Sequence, residues 1–354
     1  MPQKSSNLVK LYGFTLLRNG VKYDYSFRES FTSLSHISEE VYVALDKGDD
    51  NSLEESQKIP GVKIIPSTWD MALKKGLVLS VETNKALEAL RKDHGQEDNA
   101  WGIYLQADEV LHEDDYDRLI KDIEEAQRTG CDAISFRYFH FWQTHHHVAV
   151  SKKWYPHEIR AIKLKTNIES WGDAQGFRNQ TKVFFTEARI FHYGHVREQD
   201  SYKEKIRDMG KLYHEAQVLE EKLSKGQKNA SKNKCVEYFG THPLVMKERI
   251  LRMNDIWELP VAEEVAIVGD PKKYSPALLK TIGAKKVSWF ATSSEVPSAL
   301  KKSMVLTEPG LFDYLFKRAE PGLEMKSKLH RKWSDDFKLI FQLSSRHIGL
   351  RHPS

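Results

Sequence analysis

"WGIYLQADEVLHEDDYDRL", residues 101–119, runs apolar through Leu105 and turns acidic at Gln106-Ala107-Asp108-Glu109. An apolar run of that length reads as a strand buried on both faces. The acidic residues after it suit the first turn of a helix, where the dipole favours negative charge, and Gly130 is placed to close that helix. The stretch is therefore a strand followed by a helix, with carboxylates where the strand leaves the core. In open parallel sheets, ligands bind outside the carboxyl ends of the strands. Asp108 and Glu109 are accordingly expected to face a cleft, the alternative reading being that they cap the next helix.

Upstream the same alternation repeats. "LVKLYGFTLL" reads as a strand, "YSFRESFTSLSHI" as a helix with Phe27, Phe31 and Leu34 on one face, and "EEVYVALD" as a second strand stopped by "DKGDDNS". "KIPGVKIIPS" gives a third strand and "VLSVETNKALEALRKDHG" a helix ending at Gly95. Strand–helix alternation of this kind predicts an α/β fold, with a mainly parallel sheet and helices on both faces. Downstream, "AISFRYFHFWQTHHHVAV", "RAIKLKTN" and "TKVFFTEARIFHYGHV" read as further β structure. From Glu198 to about Leu223 a polar helix follows, with Ile206, Met209, Tyr213, Ala216 and Leu219 spaced to cover a core.

Beyond Pro260, "EEVAIVGD", "KKVSWFAT" and "SMVLTEP" alternate with helix-like segments as a small βαβαβα unit. The expected organisation is a first domain over 1–257, a small α/β accessory domain over 258–325 and a basic amphipathic tail over 326–354.

With 354 residues, 40% of them hydrophobic and 29% charged, the chain is ordinary for a globular protein. A net charge of +4 is too weak to call for nucleic acid, though it suits an anionic ligand. Cys131 and Cys235 are far apart with no CxxC, which argues against a disulfide framework or a thiolate metal site. There is no apolar signal segment at the start and no run long enough to cross a membrane, so a cytoplasmic location is expected. The tail's basic, aromatic-bearing pattern suits either peripheral contact with an anionic membrane or packing on the protein itself.

Three strand ends carry polar clusters: Arg18-Asn19 after the first, Asp46, Asp49, Asp50 and Ser52 after the second, and Gln106–Glu109 after the fourth. Together with "FHFWQTHHHV", "WYPHEIRAIKL", "GDAQGF", "FHYGHVR" and "GTHP" in that order, this resembles the bacterial inverting family 2 type of glycosyltransferase with the GT-A fold, over roughly residues 8–255. The resemblance implies a Rossmann-like mixed sheet and transfer of a hexose from a UDP- or GDP-linked donor to a hydroxyl of a cell-envelope glycan or glycolipid, such as lipopolysaccharide. It implies donor contacts from Thr15, Leu16, Arg18, Asn19, Asp46, Asp50, Asn84, Gln106, Ala107, Asp108 and Arg197. It implies Asp173 as the base, at the start of a helix beneath the acceptor, with Glu169 as runner-up. It also implies a divalent cation, Mn²⁺ or Mg²⁺, on Asp108 with His192 and His195. Gln106 stands where the first carboxylate of the family's Asp-X-Asp motif belongs, and an amide brings no charge, so the metal is expected to be weakly bound or dispensable.

His145, His146 and His147 are consecutive, and on a strand they point to alternate faces. A loop near the acceptor is therefore expected there rather than a zinc site. Two rival readings remain. One is a catalytically silent nucleotide- or sugar-binding module. The other is a nucleotidyltransferase, whose Gly-rich basic signature "FTLLRNGVKYD" lacks.

Overall fold

The computed structural model describes residues 9–149, 154–213, 235–238, 241–255, 262–268, 284–290, 295, 297 and 305–307. By compactness the chain divides into a first unit of residues 1–139, 157–232 and 243–249 and a second of 140–156, 233–242 and 250–354.

The first unit opens with β1 (Lys10–Leu17), α1 (Phe27–Ser35), β2 (Val41–Asp46), α2 (Ser52–Gln57), β3 (Val62–Ser67), α3 (Leu77–His94) and β4 (Ala100–Tyr104). β1 pairs in parallel with both β2 and β4, and β2 in parallel with β3. Successive residues of β1 face opposite ways, and each face meets a helix. Tyr12, Phe14 and Leu16 join a core cluster with Val78, Ala86, Leu87 and Leu90 of α3. Gly13 faces the other side, where an added Cβ would sit 2.6 Å from the side chain of Leu34 on α1. Gly13 thus lets α1 approach the sheet closely. Phe27, Phe31 and Leu34, the face expected from their spacing, are fully buried, each stabilising the fold by roughly 1.5–3 kcal/mol.

The chain continues with β5 (Glu109–Leu111), a 3₁₀ turn (Glu113–Asp115), α4 (Tyr116–Arg128) and β6 (Ala133–Trp142), the last three residues of which fall in the second unit. After β7 (His147–Ala149) come β8 (His157–Lys163), the hairpin strands β9 (Glu169–Trp171) and β10 (Gly176–Arg178), β11 (Val183–His195) and α5 (Gln199–Gly210). β8 lies antiparallel between β4 and β6. The first unit's sheet order is therefore β6-β8-β4-β1-β2-β3, with β11 pairing β5 and β6. This is a mixed α/β sheet of Rossmann-like type with a parallel β3-β2-β1-β4 half, consistent with the expected GT-A-like class.

Two expectations need correction. The strand beginning at Trp101 ends at Tyr104, and Glu109 opens a separate strand antiparallel to β11, so Glu109 does not face a cleft. The polar helix is shorter than its spacing suggested: α5 ends at Gly210, and none of its own residues is buried. Met209 packs against the core cluster and Leu212 beyond the helix is buried, whereas Tyr213 is exposed; Ala216 and Leu219 lie outside the described residues.

In the second unit, β7 pairs antiparallel with β12 (Cys235–Glu237) and with Phe141 at the end of β6. β13 (Ala262–Val268), β14 (Ala284–Phe290) and β15 (Val305–Thr307) form a parallel sheet in the order β14-β13-β15. These are the three strands read from "EEVAIVGD", "KKVSWFAT" and "SMVLTEP"; the helices read between them and the basic tail lie outside the described residues. No described helix is long and apolar enough to cross a membrane.

Candidate active site

The loop after β1 is tied to the turn after β2. Asn19, buried with φ at 51°, accepts a hydrogen bond on Oδ1 from the Asp49 amide at 3.0 Å. Asp50 accepts from the amides of Lys22 at 2.8 Å and Ser52 at 2.9 Å. Asp46 accepts from the Gly48 and Trp69 amides, and Arg18 lies 3.6 Å from it. Polar side chains of two adjacent strand ends are thereby brought together, as expected. Thr15 and Leu16 stand one step inside: the Thr15 hydroxyl is buried and donates to the Leu105 carbonyl, and Leu16 belongs to the core cluster.

After β4, Gln106 donates from Nε2 to the Ala174 carbonyl at 3.3 Å. That bond links the loop to the four-residue turn of the β9–β10 hairpin, which carries Asp173. Asp173 is thus in a hairpin turn rather than at the start of a helix, flanked by Gly172 and Ala174 with φ of 62° and 60°. It shares a hydrogen bond with Tyr213. Glu169 sits on β9 and is paired with Arg178 at 2.7 Å. Asn84 makes a reciprocal pair with the backbone of Ser170, Nδ2 donating to its carbonyl and Oδ1 accepting from its amide, each at 2.9 Å.

Asp108 follows the buried Ala107 in the turn before β5. The β5–β11 register sets His192 opposite Glu109 and so brings β11 beside that turn. Three basic side chains meet the Asp108 carboxylate: Arg197 Nη2 at 3.0 Å, Lys205 Nζ at 3.3 Å and His192 Nε2 at 3.7 Å. Burial alone would raise the Asp108 carboxyl, but Lys205, His192 and Arg197 outweigh it and hold the group well below the usual range. Burial pushes Lys205 down to about 8, assisted by Arg197 and opposed by Asp108. Burial lowers both His192 and His195, favouring their neutral forms. His195 engages the Tyr202 hydroxyl at 3.0 Å, and its ring centroid lies 5.9 Å from that of His192. Gly194 makes the arrangement possible, since an added Cβ would fall 2.5 Å from His192 Nε2 and 2.9 Å from Asp108 Oδ2.

A divalent cation needs oxygen or imidazole donors that are free to turn toward it. Among the described residues no three of His, Cys, Asp and Glu are grouped to hold one. Both Arg197 and Lys205 reach the same oxygen of Asp108, so the donor set does not fit a resident metal.

Several partnerships in the structure have no signal in the sequence. Glu109 and Arg160 form a fully buried ion pair, with Tyr138 also donating to Glu109 at 2.8 Å. Glu158 on β8 accepts from Gln175 at 3.1 Å, and burial pushes its carboxyl up to about 7 against the pull of Arg160. Lys205 lay inside a helix read only for its apolar spacing. His145 and His146 were expected near an acceptor loop; in the second unit both grip Asp255, at 2.8 and 2.6 Å.

No family model matches the chain, and no curated protein matches it. Among solved structures, a fragment of S. aureus TarS, residues 1–349, is similar at 11% identity and a TM-score of 0.35, over 59% of this chain and 68% of that one. A longer S. aureus TarS structure gives 12% identity and a TM-score of 0.34, over 61% of this chain and 42% of that one, so this chain spans less than half its length. Mannose-6-phosphate isomerase from Helicobacter pylori gives 9% identity and a TM-score of 0.27, over 55% of this chain and 89% of that one. At such scores the functional reading rests on the chain's own residues.

Proposed function

We propose that the chain is a glycosyltransferase, moving a hexose from a UDP- or GDP-linked donor to a hydroxyl of a glycan or glycolipid acceptor with inversion. The observation that carries this reading is the placement of polar side chains after β1, β2 and β4, neighbours in one parallel half-sheet, beside a hairpin turn that bears a carboxylate. Arg18, Asn19, Asp46 and Asp50 would take the nucleoside, and Arg197 the diphosphate. Asp173 would accept the proton of the acceptor hydroxyl as its oxygen bonds to the anomeric carbon and the bond to the diphosphate breaks. The leaving diphosphate gains negative charge in that step, which nearby cationic side chains offset.

The second reading is a silent binding module, which the uncharged Gln106 at the motif's first position favours. Asp173→Asn, with UDP and GDP binding followed by calorimetry, separates the two. Turnover reduced by about 10²–10⁴-fold with nucleotide affinity kept supports the transferase. Nucleotide binding with no turnover in the parent, across a panel of UDP- and GDP-sugars, supports the module. No binding of either nucleotide sinks both.

A further inference from the structure

We infer that Lys205 and Arg197 together form the diphosphate-binding site, taking the place of a divalent cation, with Asp108 as their built-in counter-ion rather than a metal ligand. This deepens the donor reading above, on which the choice of ligand rests.

The cluster is assembled from separate elements: Asp108 from the β4–β5 turn, Arg197 from just past β11 and Lys205 from α5. The Arg197 side chain is 1% exposed, that of Asp108 7% and that of Lys205 20%. Two cations therefore meet one carboxylate, and the only other group among the described residues that the cluster sets against that carboxylate, His192 at 3.7 Å, brings no negative charge. The neighbouring Glu109 is already matched by Arg160 and does not offset the excess. A buried group with surplus positive charge is costly unless an anion completes it.

Two details point to an anion rather than a metal. The buried Nε of Arg197 has no hydrogen-bond partner among the described residues, although its two terminal nitrogens donate to Asp108 and to the Tyr23 carbonyl. A donor is thus left over where an acceptor oxygen is wanted. The Tyr25 ring lies against both cations, 4.4 Å from the Arg197 guanidinium carbon and 4.5 Å from Lys205 Nζ. Its face holds them near each other without neutralising them. A metal entering at Asp108 would have to displace Lys205 and Arg197 against like-charge repulsion. A diphosphate adds negative charge to two cations already aligned, and Lys205, the more exposed of the two, is the one positioned to turn to it.

The test is calorimetric titration of UDP, GDP and inorganic pyrophosphate into the full chain, in EDTA and in Mn²⁺. Binding of pyrophosphate and of one nucleotide with comparable affinity in both buffers is expected. Lys205→Met should weaken each by about tenfold or more, the loss of one charge-assisted contact. Asp108→Asn should leave binding intact or tighter, since it removes the competing anion; melting curves establish that both variants are folded. Nucleotide binding only in Mn²⁺, abolished by Asp108→Asn and kept by Lys205→Met, overturns this inference while leaving the donor reading standing. Metal-independent, Lys205-dependent pyrophosphate binding without nucleotide binding keeps the anion site and overturns the donor reading. Binding of none of the probes overturns both.

Discussion

Glu109 and Arg160 face each other as a two-point ion pair, Nε to Oε2 and Nη2 to Oε1 both at 2.9 Å, with both side chains fully buried. Glu109 also accepts from the Gln106 amide and the Tyr138 hydroxyl, and Arg160 donates to the Gln175 carbonyl. The pair thus joins the loop after β4 to the hairpin turn bearing Asp173. Removing one partner strands a buried charge, so Glu109→Ala should cost about 3–5 kcal/mol in chemical denaturation. Replacing both, as Glu109→Leu with Arg160→Met, should recover most of that loss. A single variant as stable as the parent would show that the pair is not buried in solution.

The alternation of strands and helices was legible because each segment carries its own periodicity. Phe27, Phe31 and Leu34 are spaced for one helical face, and that face is buried. The polar ends of β1, β2 and β4 were legible because parallel pairing puts consecutive strand ends on one edge. Glu109 was misplaced because the chain changes course between it and its neighbour: Asp108 ends the turn after β4 and meets Arg197 and Lys205, while Glu109 opens β5 and meets Arg160. Lys205 had no local mark at all. Its role depends on where α5 docks, and a lysine beside Ile206 looks like any solvated helix residue. The hairpin around Asp173 was hidden for a related reason, since its strands are three residues each and, among the described residues, pair only with one another.

Asn84 was implied as a donor contact, and the structure gives its amide to the backbone of Ser170. Asn84→Ala should destabilise the fold by about 1–3 kcal/mol, the usual result of leaving paired backbone groups unsatisfied. Because the bond anchors β9, the turn carrying Asp173 should loosen as well. The expected kinetic signature is a lower kcat with donor KM little changed. A rise in donor KM at constant kcat would mean that Asn84 touches the nucleotide after all.

Glu158 supplies a pH dependence whose sign is fixed. Its folded carboxyl is pushed up to about 7, chiefly by burial, with Glu109 and Asp173 adding to the effect and Arg160 and Gln175 opposing it. The unfolded group titrates near the ordinary 4.5. Between these values the folded state holds a proton that the unfolded state has lost, so stability falls as pH rises through that window. The contribution is complete below about 4.5 and gone above about 7, roughly 1–3 kcal/mol in all. Melting curves of the parent and Glu158→Gln from pH 5 to 8 should converge at the acid end and separate at the alkaline end, the variant being the more stable there. Parallel curves would mean that the carboxyl is solvated.

In the second unit, Asp255 accepts from the backbone and ring of His145 and lies 2.6 Å from Nε2 of His146. Burial would raise its carboxyl, but the bonds from the two histidines outweigh that and hold it far below the ordinary range. The turn between β6 and β7 is therefore fixed by a carboxylate distant in sequence, with Gln143 taking a φ of 64° to begin it. The Tyr238 amide donates to the His146 carbonyl, so the same clamp sets the pairing of β7 with β12. Asp255→Ala should speed amide hydrogen exchange at His145, His146 and Tyr238 by an amount equivalent to about 1–3 kcal/mol of local stability. Amides of β1 and β4 in the first unit should keep their parent rates. The sign of the acid response follows from the depressed carboxyl: the clamp is complete above about pH 4 and weakens as the pH falls below it. Unchanged exchange at His145 and His146 in Asp255→Ala would mean that the turn holds its shape without the carboxylate, and the three histidines would again need an explanation.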